Sequence, residues 1–443
     1  MRTPRTTLPA LVAAIVLGAC APATPSSVSP EPAPFGGPSP WPAIRAERIR
    51  TLLPAAMRTA NVDAWVILAR ENANDPLALH VGAENAGAPA AFLFLRQGDA
   101  VRSVAISGFG EAIALRELGT HDSVVVYERE PGALERAVAE RLRAADPARI
   151  AVNSGGSGIA DGLSYTQRTA LERALGAELA ARLVPSAPLV EAWLAVKLPA
   201  EVEIMRRAAR LTAALELEAY ATVRPGVTTD ADIARFLKRR MRDLGVEDGW
   251  SPAQNPSVNS GLDRGHSHAT ERVIQPGDII QTDFGIKVHG VWVTDIQRFA
   301  YVLRRGEAAP PPDVERRWLA AIRAGRAAFE AMRPGATGAQ VDSAQRLVMS
   351  ATNSAPVPWG TGHPVGYWAH DAGPGLNRRE TRTLAPGHVF AFDSFHAWTA
   401  DGSARAWGDG TKTLSSEEMA VVTAGGAEYL AEPQRELVLI RTP

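Results

Sequence analysis

The chain has 443 residues, 46% of them apolar and 21% charged, with a formal net charge of −1. That length suits two domains plus a small extra segment. The balanced charge excludes the basic excess or basic stripe by which nucleic-acid binders neutralise phosphates. A single cysteine, Cys20, excludes an internal disulfide framework and leaves oxygen and imidazole as the groups able to hold a metal.

Residues 1–20 read as a signal peptide: a basic start (Arg2, Arg5), an apolar run from Leu8 to Leu17 too short to span a bilayer, then small residues. Leu17-Gly18-Ala19-Cys20 resembles a bacterial lipobox, in which the cysteine is lipidated and becomes the mature N-terminus. The expectation is a protein lipid-anchored to the cell envelope through Cys20. Ala21 is not an acidic retention signal, which points to the outer membrane, periplasmic side. Residues 21–40, rich in Pro, Ser and Ala, read as a disordered tether.

Residues 41–195 alternate between helical and extended patterns and predict an α/β domain with a mixed sheet. Ala43–Thr59, Leu134–Ala144 and Thr166–Leu175 have helical periodicity, and Ala64–Leu68, Ala91–Leu95, Val101–Ile106 and Ser123–Tyr127 are β-rich. No glycine-rich phosphate loop follows any of these strands, so this domain is assigned no chemistry of its own.

Residues 196–443 read as an α+β domain. Helices are predicted over Ala200–Thr222 and Asp230–Leu244, β-rich stretches over Asp278–Ile286 and Val291–Leu303, and further helices over Pro312–Met332 and Gly338–Ala351. Arg224-Pro-Gly-Val-Thr and Arg333-Pro-Gly-Ala-Thr introduce the second helix of each half, an echo that implies a pseudo-two-fold domain.

The chemistry lies between and after these helices. Asp283 and Asp295 sit on two apolar strands flanking a turn near His289-Gly290, an even distance apart and hence on one face. With 289 as the midpoint they are expected directly opposite each other, two like charges that need a cation or a proton. His363 and His370 lie in a glycine- and aromatic-rich stretch. Asp393 falls inside an apolar β-like run, and Glu417 at the start of a strand.

In this order the residues resemble the M24 metallopeptidases: aminopeptidase P, prolidase and methionine aminopeptidase. The segment Val196-Lys-Leu-Pro-Ala-Glu-Val-Glu-Ile-Met-Arg206 after an α/β domain looks like the longer members, those with a creatinase-type N-terminal domain. The resemblance implies a "pita-bread" catalytic domain and two divalent ions, Mn first, with Co, Fe or Zn able to replace it. It implies metal ligands at Asp283, Asp295, His363, Asp393 and Glu417, with Asp295 and Glu417 bridging. His266 and His370 match the family histidines that bind substrate and steady the tetrahedral intermediate, and Asp393 the residue that manages the water's proton. The substrate implied is a proline-containing peptide cut at an Xaa-Pro bond, by a homo-oligomer.

Asp393 stands where the family has Glu, one methylene longer, and Ser415 where members often place an Arg. These departures leave two alternatives: a catalytically weak, lipid-anchored peptide-binding homologue, or a hydrolase of the same fold acting on another small amide or C–N bond.

Overall fold

The structure is a computed structural model and describes residues 34–261, 268–399 and 411–442. The signal peptide, the lipobox at Cys20, most of the expected tether and His266 lie outside the described residues. The tether expected as far as residue 40 is already packed at Pro34: Arg207 donates to the Pro34 carbonyl at 2.8 Å, and its guanidinium sits 5.1 Å from the Phe35 ring.

The first sheet has the order β4-β3-β2-β1-β5-β6, built from β1 (Ala64–Ala69), β2 (Ala90–Gln97), β3 (Ala100–Ser107), β4 (Ser123–Val126), β5 (Ile150–Val152) and β6 (Leu183–Pro185). β1 pairs antiparallel with β2 and parallel with β5, so the sheet is mixed. All of β1 is buried, as its unbroken apolar run requires of a central strand. The single helix expected over 43–59 is two, Trp41–Thr51 and Leu53–Thr59, because Pro54 cannot donate to the turn before it and starts a new helix. Ala187–Ala195 is a further helix, buried on nearly every side and so without the polar face that betrays a helix in sequence.

The C-terminal half carries a small three-stranded sheet and an eight-stranded one. Its strands are β7 (Glu247–Asp248), β8 (Ser257–Ser260), β9 (Ile279–Phe284), β10 (Ile286–Val288), β11 (Trp292–Val293), β12 (Ile296–Val302), β13 (Gly362–Pro364), β14 (Val389–Thr399), β15 (Thr411–Thr423), β16 (Gly426–Tyr429) and β17 (Val438–Ile440). The large sheet runs β13-β14-β15-β12-β9-β8, with β16 on β15 and β17 on β12. Helices Pro199–Ala221 and Pro312–Ala331 cover its outer faces: Tyr220 donates to the Arg298 carbonyl at 2.6 Å, and Gly325 packs on Ser394.

The sequence echo is a structural repeat. Gly226 and Gly335 both take positive φ (79° and 83°), a conformation that favours glycine. Each donates its N–H to a facing segment, Gly226 to Ile274 and Gly335 to Leu384. Those segments answer: Ile274 donates to Thr228, Leu384 to Ala336. Thr229 and Thr337 then close capping boxes that start helices Asp230–Leu244 and Gly338–Ala351.

One apolar core runs from Trp41 through Trp193 to Ile440 and joins the two halves. Buried charges cross the same boundary. Arg48 pairs with Glu201 at 2.6 Å, and Glu201 also accepts from Tyr367 Oη at 2.6 Å and Trp292 Nε1 at 3.2 Å. Lys197 pairs with Asp371 at 3.0 Å. These contacts pin the loop that carries His370.

Candidate metal centre

The hairpin leading into β12 is centred one residue later than its sequence suggests. Lys287 pairs with Val293 and Val288 with Trp292, so three residues, His289 to Val291, form the turn, with His289 (φ 52°) and Gly290 (φ 69°) in the left-handed region. Asp283 therefore faces Gln297, not Asp295. The direct Asp283–Asp295 opposition expected from the midpoint is corrected to a diagonal.

The consequence is a row. Asp283 on β9 pairs with Gln297 on β12, Gln297 with Glu417 on β15, and Glu417 with Asp393 on β14. Two residues along, on the same face, Ala391 pairs with both Met419 and His363, and Asp295 N donates to Met419 Sδ at 3.4 Å. Glu417 lies in mid-strand, not at a strand start. Ser415 and Ser416 are buried, and Ser416 N donates to Ser394 Oγ at 2.9 Å.

Asp295, His363 and Glu417 each offer a ligand atom, all within 4.8 Å of one another. His363 Nε2 lies 3.8 Å from Asp295 Oδ2 and 3.6 Å from Glu417 Oε1. Asp283 joins through a side-chain hydrogen bond with Asp295, and Asp393 through Gln297, whose Nε2 donates to Asp393 Oδ1 at 3.1 Å and Glu417 Oε2 at 2.8 Å. Asp283, Asp295 and Glu417 are buried, and Asp393 and His363 partly so.

Burial pushes the carboxyls of Asp283, Asp295 and Asp393 well above the usual range, and the Glu417 carboxylate adds to each. Carboxyls gathered this closely in a low dielectric need either a shared proton or a cation between them. Among the described residues no lysine or arginine fills that place. Arg298, next along β12, points to the opposite face and is committed to Glu418 at 3.1 and 3.0 Å. Oxygen donors with one imidazole suit a hard or borderline divalent ion. The residues present fit such an ion.

His370 is exposed, its ring centroid 4.1 Å from that of His363, so it is a rim residue rather than part of the core. Two residues of the neighbourhood escaped the sequence reading. Gln297 became visible only once the register placed it between three carboxylates. Glu216 lies behind the sheet, fully buried, with neither carboxyl oxygen hydrogen-bonded among the described residues.

Residues 203–424 match the family model described as Metallopeptidase family M24. A similar protein is the "Uncharacterized peptidase YqhT" of Bacillus subtilis (strain 168), 26% identical over 263 residues, which cover 59% of this chain and 69% of that one. The "Probable dipeptidase PepE" of Mycobacterium tuberculosis is 28% identical over 249 residues, 55% of this chain but only 60% of the relative's length. Among solved structures, the Xaa-Pro dipeptidase from Bacillus anthracis superposes with a TM-score of 0.67 at 21% identity, over 90% of this chain and 100% of that one. Dipeptidase PepE from Mycobacterium ulcerans gives 0.68 at 24%, over 90% and 99%.

Proposed function

This chain belongs to metallopeptidase family M24, and from that premise we propose that it hydrolyses peptides at an Xaa-Pro bond with two divalent ions, Mn first among them. One observation carries the reading: Asp283, Asp295, Asp393 and Glu417 converge with His363 on one sheet face, and no cationic side chain among the described residues balances them. Asp283 would hold one ion, His363 and Asp393 the other, with Asp295 and Glu417 shared. Divalent ions there supply Lewis acidity, which lowers the pKa of water and polarises a carbonyl.

The chain's own groups do the rest. His370, exposed beside His363, would donate a hydrogen bond to the scissile carbonyl oxygen, a role its ring contact with His363 supports, with His266 as its expected companion. Asp393 takes the proton of the attacking water, and the partly buried His363 marks where the face opens to substrate. The lipobox supports anchoring to the envelope through Cys20, with a homo-oligomer as the working assembly.

The purified protein should contain divalent metal and release proline from an Xaa-Pro dipeptide or an N-terminal residue from Xaa-Pro-Yaa. Chelation should abolish turnover and Mn restore it. Asp295→Ala should lose turnover. A metal-loaded protein that binds Xaa-Pro peptides but cleaves none would replace this reading with the second one, a peptide-binding homologue, which the shortened Asp393 favours.

A further inference from the structure

A cavity of about 220 Å³ lies between helix Pro312–Ala331 and the far end of β14. Arg316, Arg317 and Arg323 line it from that helix, Thr352 and Asn353 from the end of helix Gly338–Ala351, and His396 from β14. None of its described lining residues is a carboxylate. Asp313 pairs with both Arg316 and Arg317, the latter at 3.1 Å, and Arg323 has no carboxylate partner among the described residues. Three guanidiniums thus face one carboxylate. Cations near a helix C-terminus often serve its last carbonyls, but that end is already closed. Thr352 Oγ1 donates to the Val348 carbonyl at 2.8 Å, Ser354 N to Met349 at 2.9 Å and Asn353 N to Ser350 at 3.2 Å. His396 is 3% exposed. Its Nε2 lies 3.0 Å from the Thr352 carbonyl, which can only accept, so Nε2 carries the proton and Nδ1 is an acceptor. That Nδ1 is buried and has no hydrogen-bond partner among the described residues.

We propose that this cavity binds a phosphate monoester or inorganic phosphate, the arginines holding its anionic oxygens and His396 Nδ1 accepting the hydrogen bond of its remaining O–H. The guanidinium fork matches phosphate oxygens and makes the stronger, charge-assisted kind of hydrogen bond. A lone acceptor among those arginines adds selectivity. It repels an oxyanion without a hydrogen, such as sulfate or a phosphate diester, and rewards a monoester, which keeps one O–H on about half its molecules near pH 6. Burial holds the His396 pKa below the ordinary value, and Arg317 and Arg316 push the same way, so the ring stays an acceptor. At roughly 30 Å³ per water the cavity has room for about seven waters, enough for one tetrahedral group but not for a peptide. The site stands apart from the metal row. His396 is three residues from Asp393 on a regular strand and shares the opposite face with Ser394, against which Gly325 packs. An occupant there is held rather than turned over, and it ties both helices to β14.

The test is calorimetric titration of the purified protein at pH 6 with glycerol phosphate and, separately, with sulfate. Glycerol phosphate should bind at one equivalent, about ten-fold or more tighter than sulfate, and raise the melting temperature. Arg323 is exposed, so Arg323→Gln should fold normally. It should weaken glycerol phosphate about ten-fold, the scale of one hydrogen bond to a charged group. His396→Phe should erase the preference over sulfate. If that variant does not fold, dimethyl phosphate makes the same test on the wild type: with no O–H, it should bind no better than sulfate. Phosphatidic acid vesicles present the same monoester on a lipid. Co-sedimentation with them, without heat from glycerol phosphate, would uphold the site and assign its ligand to a membrane. Equal binding of glycerol phosphate and sulfate overturns the proposal. So does glycerol phosphate binding that Arg323→Gln leaves unchanged, which would put the anion on the metal-row face instead. Xaa-Pro turnover is unaffected by either outcome, so the two readings fail separately.

Discussion

Glu216 shows what one residue in the wrong medium does. Its carboxyl is completely buried, accepts no hydrogen bond among the described residues, and is surrounded by the fields of Asp283, Glu417 and Glu418 as well as that of Arg298. Burial, more than any of these charges, pushes its pKa well above the ordinary value. A group whose folded pKa is raised contributes its full share of stability below the unfolded pKa, and that share is lost as pH rises through the folded value. Glu216→Gln, neutral and of the same shape, should therefore unfold like the wild type near pH 4 and be more stable at pH 8, by about 1.4 kcal/mol for each unit by which the folded pKa stands above the unfolded one. Urea denaturation at the two pH values checks this; a variant less stable at both would mean that the carboxylate has a partner it needs.

At the scale of the element, the site depends on strands that approach without side chains in the way. Gly285 joins β9 to β10, its carbonyl accepting from Gly249 N at 3.0 Å and Asn255 Nδ2 at 2.8 Å. A methyl group there would overlap the Thr294 carbonyl and the Trp250 ring. Thr294 is backbone, so relief means moving the segment that carries Asp295. Gly285→Ala should cost about 1–3 kcal/mol of stability, as overpacked sites do, and weaken Mn binding; unchanged melting and unchanged binding would show the approach to be looser than it is drawn. The hairpin also marks the border of what the sequence discloses. The side-chain period of two put Asp283 and Asp295 on one face, because that survives any even shift. It could not supply the register, since a three-residue turn with two left-handed residues moves every pair by one position on each strand. The pseudo-two-fold repeat was legible because Gly226 and Gly335 mark a backbone conformation that few other residues adopt. The helix at Ala187–Ala195 was not, because most of its residues are buried and little polar face is left to mark the period. Gln297 carries no sequence signal of its own; only its neighbours on other strands give it a role.

For the whole molecule the boundary between the halves is the place where charged groups are buried. Lys197–Asp371 and Arg48–Glu201 are ion pairs almost wholly out of solvent, and pairs of that kind cost several kcal/mol when one partner is lost. His80 and His388 lie within the fields of these pairs, and His121 lies beside Arg45 in the first half. His80 is ringed by Trp41, Trp193, Tyr367 and Trp368, His388 accepts from Ala385 N at 3.3 Å through Nδ1, and His121 Nε2 lies 2.9 Å from the Val81 carbonyl. Burial lowers all three, His121 and His388 to about 4 and His80 well below 6.5, with Arg48, Lys197 and Arg45 opposing a further positive charge at His80. A base with a depressed folded pKa stabilises the protein above its unfolded pKa, and that contribution is lost as pH falls toward the folded value. For His121 and His388 the loss is about 3 kcal/mol each, at about 1.4 kcal/mol per pKa unit. Stability should thus fall steeply between pH 6.5 and 4, and the interface should give way first, because protonated His80 would face Arg48 and Lys197 in the same apolar core. Trp41, Trp193 and Trp292 are buried at that boundary, so their fluorescence should shift to the red in acid before the far-ultraviolet circular dichroism changes. His388→Gln, which keeps an acceptor for the Ala385 N–H but cannot take up a proton, should flatten the pH dependence. Coincident fluorescence and dichroism transitions would show that the two halves unfold as one body instead.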